Sequence, residues 1–456
     1  AQTVLEVRAH TGTEKIIKFN ARHLAIMLWA FAKLNHRAPK LFYVAAEIAA
    51  KRSKRFQPHS LATTVWAFAT LTHTAPKLFN AMSKTALQNL ENFKPQGLAN
   101  TLWAFAKLQH PAPKLFDAAA KVVAERSSDF KPQELSITMW AFATLTHVTP
   151  QLFDVVSQSA LGHTAKFNPQ QLANMVWSFA KLNHTAPQFF DVVAEIGEEV
   201  SSEFKPQEIA NTVWAFASLT HVAPQLFDAL ALTAANKLAD FTLQSLAIMV
   251  WAFATLNHGA PELFDLVADK ALERVLILSP AELSKDVEQT PLALTSVDIG
   301  SPELFDTLPK LVEEPFLPSP SDNLEHKLAL ICYAFGKMKH VAPMFFDAVA
   351  LLHADRVASS SPLDITCILH AFAVLNHDAP GLFDVAADAI VERFIDFQPN
   401  HIATILWSFA KRNHSAPVLF DTVAKIPTER VRDFSEAELR SISWAFLRLK
   451  HRAPDL

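Results

Sequence analysis

Apolar residues recur along this chain with two nested periods. Within stretches of about a dozen residues they fall three or four apart, the spacing of an amphipathic helix, and the whole pattern returns every 37 residues. Tryptophan marks the return at 29, 66, 103, 140, 177, 214 and 251, and again at 407 and 444. Tyr333 and His370 fill the same slot, each followed by Ala and Phe. With this slot as position zero, a histidine stands at +7 from His36 to His451, a proline at +10, Phe at +13 and usually Asp at +14. Pro302 marks one more unit, giving twelve from Pro39 to Pro454, and Phe recurs at −10 and +2.

Each unit predicts two helices. Helix A opens at a Phe-x-Pro-Gln segment such as Phe204-Lys205-Pro206-Gln207, where proline suits the first turn, and ends near the +7 histidine. Helix B starts at the +10 proline, with the +14 Asp near its positive end. The fold class is therefore all-α, an α-solenoid of about twelve 37-residue repeats forming a superhelix whose core is shared between neighbours. Repeats one to seven and the start of the eighth occupy 1–284, and repeats nine to twelve occupy 326–456, the last truncated. Between them, 285–325 is a degenerate eighth repeat or a hinge. Glu288 sits in its tryptophan slot, and Pro309, Pro315, Pro318 and Pro320 follow, which opposes continuous helix.

On a 100° wheel, positions −5, −1 and +2 of helix A face helix B. The opposite stripe holds −7, −3 and +4. Position −7 is His59, Gln96, Gln133, Gln170, Gln207, Gln244, His326 and Asn400; position −3 includes Thr63, Asn100, Asn174, Asn211, Thr404 and Ser441. Position +4 carries Lys33, Lys107, Lys181, Lys337, Lys411 and Arg448, with Thr or Ser in most other repeats. Stacked A helices would line one concave surface with these residues. The lysines and Arg448 are the candidates for RNA phosphates; the −3 set with Gln96, Gln133, Gln170, Gln207 and Gln244 are candidates for base contact. The tryptophan lies close enough to this stripe for base stacking, although its apolar neighbours also suit an inter-helix core position, in which case Trp103→Ala would act as a core truncation.

Net charge is −4, with 41 basic and 45 acidic residues, which argues against an indiscriminate polyanion binder. The segments −5 to +9 nonetheless sum to +9, leaving −13 elsewhere, so a basic inner wall is expected on an acidic protein. Eight scattered glycines make no phosphate-cradling loop. No catalytic residues and no cofactor are indicated, because no nucleophile–base or paired-carboxylate arrangement emerges, and an enzyme is not expected. No metal is expected either: stacked helices lie about 8–10 Å apart, too far for neighbouring +7 histidines to share an ion; those histidines read as capping and packing residues, and a contact with the +14 Asp is open. Cys332 and Cys367 read as small core residues in a reducing compartment. No apolar run reaches membrane-spanning length, so no membrane insertion is expected.

Leu98-Ala99-Asn100-Thr101-Leu102-Trp103-Ala104-Phe105-Ala106-Lys107-Leu108, with His110 and Pro113 following, resembles the octotricopeptide repeats and the related heptatricopeptide repeats of organellar RNA-binding proteins. The likeness covers nearly the whole chain, and the 37-residue period fits the heptatricopeptide type more closely. It departs in helix B, where Pro-x-Leu-Phe-Asp replaces the octotricopeptide Pro-Pro-x-Trp-Leu type. The resemblance implies sequence-selective binding of single-stranded RNA, messenger or ribosomal, in stabilisation, processing, translation or ribosome assembly. It implies an organellar matrix or stroma, mitochondrial or chloroplast; no targeting peptide is visible in the sequence. The other reading is a protein-binding scaffold or structural subunit of a large complex such as an organellar ribosome. Outside a complex a monomer is expected.

Overall fold

A computed structural model describes residues 16–162, 166–278 and 324–451, and within them every regular element is helical. Contacts divide the chain into two compact units, Ala1–Leu226 and Phe227–Leu456. In the first, A helices run Ala21–Lys33, Pro58–Thr70, Pro95–Lys107, Pro132–Thr144, Pro169–Lys181 and Pro206–Ser218. Their B partners begin at Pro39, Pro76, Pro113, Pro150 and Pro187. The second unit holds A helices Leu243–Thr255, Leu324–Met338, Pro362–Val374, Pro399–Lys411 and Glu436–Arg448. Within each unit A packs on the next A, and B on the next B, which is the solenoid the periodicity predicts. No described helix is long and apolar enough to cross a membrane.

Proline starts nearly every helix for the reason anticipated: at the first helical position its missing N–H costs no bond. The ends of the A helices are less expected. In each repeat the +6 residue adopts a left-handed conformation, φ 48° to 55°, and none of these residues is glycine. In His147's turn, Thr146 N–H donates to the Ala143 carbonyl at 3.1 Å and His147 N–H to the Phe142 carbonyl at 2.9 Å. That pair of bonds is a Schellman closure. Asn fills the left-handed position in five repeats, but Thr72, Thr146 and Thr220 are β-branched there, a conformation that costs such a residue on the order of 1 kcal/mol or more. Thr146→Asn is therefore expected to stabilise the fold by about 0.5–1 kcal/mol, read as a higher midpoint in urea.

The core lies between layers and between repeats. Phe at +13 of one repeat meets Phe at +2 of the next edge-on, as Phe116 meets Phe142 at 5.0 Å and Phe153 meets Phe179 at 4.9 Å. The +7 histidine ring caps this pair, and its Nε2 reaches the +14 Asp of the preceding repeat. His147–Asp117, His184–Asp154, His221–Asp191 and His258–Asp228 close at 2.8–3.0 Å, and the rungs resume at His377–Asp347, His414–Asp384 and His451–Asp421. The histidine thus joins neighbouring repeats in addition to closing its own helix. Arginines ending B helices add a second tie: Arg126 donates to the Phe93 carbonyl at 3.2 Å and Arg393 to the Ser360 carbonyl at 2.9 Å.

Nearly all of 285–325, read as a degenerate repeat or hinge, lies outside the described residues. Across it the stack continues. Leu324–Met338 packs directly on Leu243–Thr255, and His340 pairs with Asp265 at 3.0 Å where a neighbouring repeat would normally supply the partner. In this second unit the A helices approach closely, since a Cβ on Gly336 would stand 3.0 Å from the Ala371 Cα. Cys332 and Cys367 are buried free thiols in these helices, and burial pushes both well above the usual thiol range.

Candidate nucleic-acid interface

Each unit presents its own A-helix stripe. In Ala1–Leu226 the −7 residues His59, Gln96, Gln133, Gln170 and Gln207 are exposed, and Thr63, Asn100, Asn174 and Asn211 at −3 are half-buried one turn further along. The two positions communicate: Gln207 Nε2 donates to Asn211 Oδ1 at 2.9 Å. At +4, Lys33 and Lys107 are exposed and Lys181 is half-buried. Donors, acceptors and positive charge therefore run in parallel rows along the stacked helices, as a single strand's bases and phosphates require.

One contact sets a +4 lysine against the tryptophan column, and a second +4 lysine is buried at its charged end. Lys33 Nζ lies 5.4 Å from the ring centroid of Trp66 in the next repeat, a cation–π distance. Lys181 Nζ is buried without a hydrogen-bond partner, and desolvation holds its pKa below the ordinary lysine value. An incoming phosphate would repair that desolvation directly. Two pairs of tryptophans from neighbouring repeats approach ring to ring, Trp177 and Trp214 tilted at 6.4 Å and Trp407 and Trp444 stacked at 6.4 Å. Trp29 is 44% exposed whereas Trp251 is 4% exposed, so the same slot is surface in the first repeat and core in the seventh.

The second unit places its stripe deeper. Lys337 and Lys411 are half-buried and Arg448 is exposed. Gln244 is half-buried, and at −3 Thr404 and Ser441 are 1% and 8% exposed. These two lie beneath the surface, because the helices close over the −3 position here, and Ser441 Oγ donates to the Ala437 carbonyl at 3.0 Å. His326 at −7 is committed to Asp364 at 2.7 Å. The candidate base-contact residues that reach the surface thus lie mainly in the first unit. The contact left open between +7 His and +14 Asp does form, between residues 30 apart in neighbouring repeats, a pairing that a single-helix wheel cannot show.

Repeated helix pairs, an uninterrupted A-on-A stack within each unit and rows of polar and basic side chains on that stack define a helical-repeat protein. Residues 2–126 and 126–313 match the family of RNA-editing substrate-binding complex 6 proteins. The chain belongs to that family. No curated protein matches it. Among solved structures, the pentatricopeptide repeat protein PPR10 in complex with an 18-nucleotide psaJ RNA element is similar at 9% identity over 99% of this chain and 95% of that one, with a TM-score of 0.17. A cysteine-to-serine variant of PPR10 with the same RNA gives the same values.

Proposed function

We propose that the A-helix face binds single-stranded RNA within an RNA-editing substrate-binding complex. The observation that carries this reading is the row of +4 cations running beside the −7 and −3 polar residues, in a chain of a family named for that complex. Lys33, Lys107, Lys181, Lys337, Lys411 and Arg448 draw phosphates, and the exposed and half-buried −7 and −3 residues of the first unit contact base edges. The protein acts as a binder and not as an enzyme. The repeats are of the octotricopeptide or heptatricopeptide kind, and the setting is an organelle, with the family favouring the mitochondrion over the chloroplast and an editing complex over a ribosome.

The test replaces Lys107, Lys181, Lys337 and Lys411 together by Gln. Each phosphate contact to a single strand contributes about 0.7 to the slope of log K against log salt, so the slope should flatten by about 3 and affinity at low salt should drop by orders of magnitude. An unchanged slope sinks the assignment. A second reading, a protein-binding subunit of the same complex, draws on the exposed valines at +8, Val148, Val222 and Val341, at 57–68% exposure. Association with a purified complex subunit that survives high salt and needs no RNA would favour it.

A further inference from the structure

The basic residues are distributed unevenly along the chain as well as across the helices. The first 131 residues hold 19 basic and 7 acidic residues; the other 325 hold 22 and 38. Most of the early surplus is not on the A-helix stripe. Lys40, Lys51, Lys54, Arg55, Lys77 and Lys84 belong to the B helices and B-to-A turns of repeats one and two, and all are exposed.

Three of them, Lys54, Lys77 and Lys84, line a groove of about 580 Å³ together with Ser53, Asn80 and Gln88. No carboxylate lines it, and Ala81 is its one apolar residue. Lys77 has a long contact, 3.6 Å, with Glu47 outside the wall. The repeat supplies an internal control, because the same concavity forms one repeat later, 37 residues on. There Lys54 becomes Glu91, Asn80 becomes Asp117 and Gln88 becomes Glu125, with Lys114 and Lys121 retained. Two repeats further still the equivalent positions are Gln188, Asp191, Glu195 and Glu199. Equivalent positions thus hold three lysines and no carboxylate at the first junction, two lysines and three carboxylates at the next, and three carboxylates without lysine later, so packing does not demand the lysines.

The His–Asp rungs point the same way. The +14 carboxylate that pairs with histidine elsewhere is Tyr43 in repeat one and Asn80 in repeat two. Asn80 Oδ1 still meets His110 Nε2 at 3.0 Å, which preserves the rung while removing a negative charge from the groove wall. Tyr43 is 71% exposed. A wall of ammonium groups, amides and hydroxyls with one apolar residue suits a phosphate backbone; a protein partner would be met by an apolar centre.

We propose that this B-helix groove of repeats one and two is a second phosphate-binding site, occupied by the backbone of an RNA segment. It relies on the proposed RNA binding for the identity of the polyanion, not for the location of the site. The experiment uses the full chain with a 30-nucleotide single-stranded RNA carrying photoactivatable uridines, with peptide mapping of the crosslinks and inorganic tripolyphosphate as competitor. Crosslinks are expected within 51–55 and 76–88. Lys54→Gln, Lys77→Gln and Lys84→Gln together should abolish them and flatten the salt slope by about 2, while the triple Lys→Arg variant keeps both. Lys107→Gln with Lys181→Gln should leave the groove crosslinks intact. Groove crosslinks that persist when none is found on the A helices would defeat the A-face reading and leave this one standing. An absence of crosslinks in those two peptides, or a triple Gln variant with wild-type slope, overturns the proposal, as does complete displacement by tripolyphosphate at equimolar concentration, which would mark a free-phosphate site.

Discussion

Phe142→Ala should destabilise the Ala1–Leu226 unit by about 3–5 kcal/mol, a larger loss than Trp103→Ala produces. Phe142 is 0% exposed, meets Phe116 of the previous repeat edge-on at 5.0 Å and lies against the His147 ring. Its removal opens a cavity at an inter-repeat joint that cannot collapse without moving two helices. Trp103 is half-buried, so solvent already reaches part of its ring and truncation exposes less new surface. Urea titrations of the two variants, followed by far-ultraviolet circular dichroism, decide between them. If Trp103→Ala has the lower midpoint, the tryptophan column and not the phenylalanine pair holds the repeats together.

Acidification is expected to unfold the Phe227–Leu456 unit selectively. His353, His370 and His401 are 0%, 2% and 6% exposed. Burial lowers their pKa values from 6.5 to about 4, about 3 and about 4. For His353 that desolvation outweighs the attraction of Asp364 and Glu325, and neither of its ring nitrogens has a hydrogen-bond partner. His401 Nδ1 accepts from Gln398 N–H at 3.3 Å, a bond that requires that nitrogen to be unprotonated. The unfolded chain binds protons below pH 6.5 that the folded chain refuses, so stability is complete above that pH and falls as pH drops toward 4. At pH 5 the loss is about 2 kcal/mol for each histidine, about 6 in all. Melting at pH 7.5 and 5.0 measures it, and His353→Leu should reduce the difference; equal melting temperatures would show that the three rings are protonated in the fold.

Helix number, boundaries and pairing were legible because proline at −8 and +10 punctuates a 37-residue period, and a chain of identical units leaves nearest-neighbour stacking as its way to bury apolar faces. The candidate stripe was legible in part: in the first unit the −7 residues His59, Gln96, Gln133, Gln170 and Gln207 are exposed, whereas +4 is exposed at Lys33 and Lys107 and half-buried at Lys181. The wheel failed at Thr404 and Ser441 because how closely successive A helices approach is a property of the stack, set by contacts such as Gly336 against Ala371, and one helix's pattern is the same in open and closed surroundings. Trp29 and Trp251 make the point, with one motif and opposite exposure. The left-handed +6 residues were hidden for a different reason. Threonine there contradicts local preference, and the closure at +7 enforces it.

The rung between His340 and Asp265 joins residues 75 apart, where other rungs join residues 30 apart. In polymer terms the greater sequence separation costs about (3/2)RT ln(75/30), on the order of 0.8 kcal/mol, less than a single buried phenylalanine contributes. A linear array of repeats can therefore absorb tens of additional residues at one joint with almost no thermodynamic consequence, and such joints are where a solenoid gains new sequence while keeping its stack.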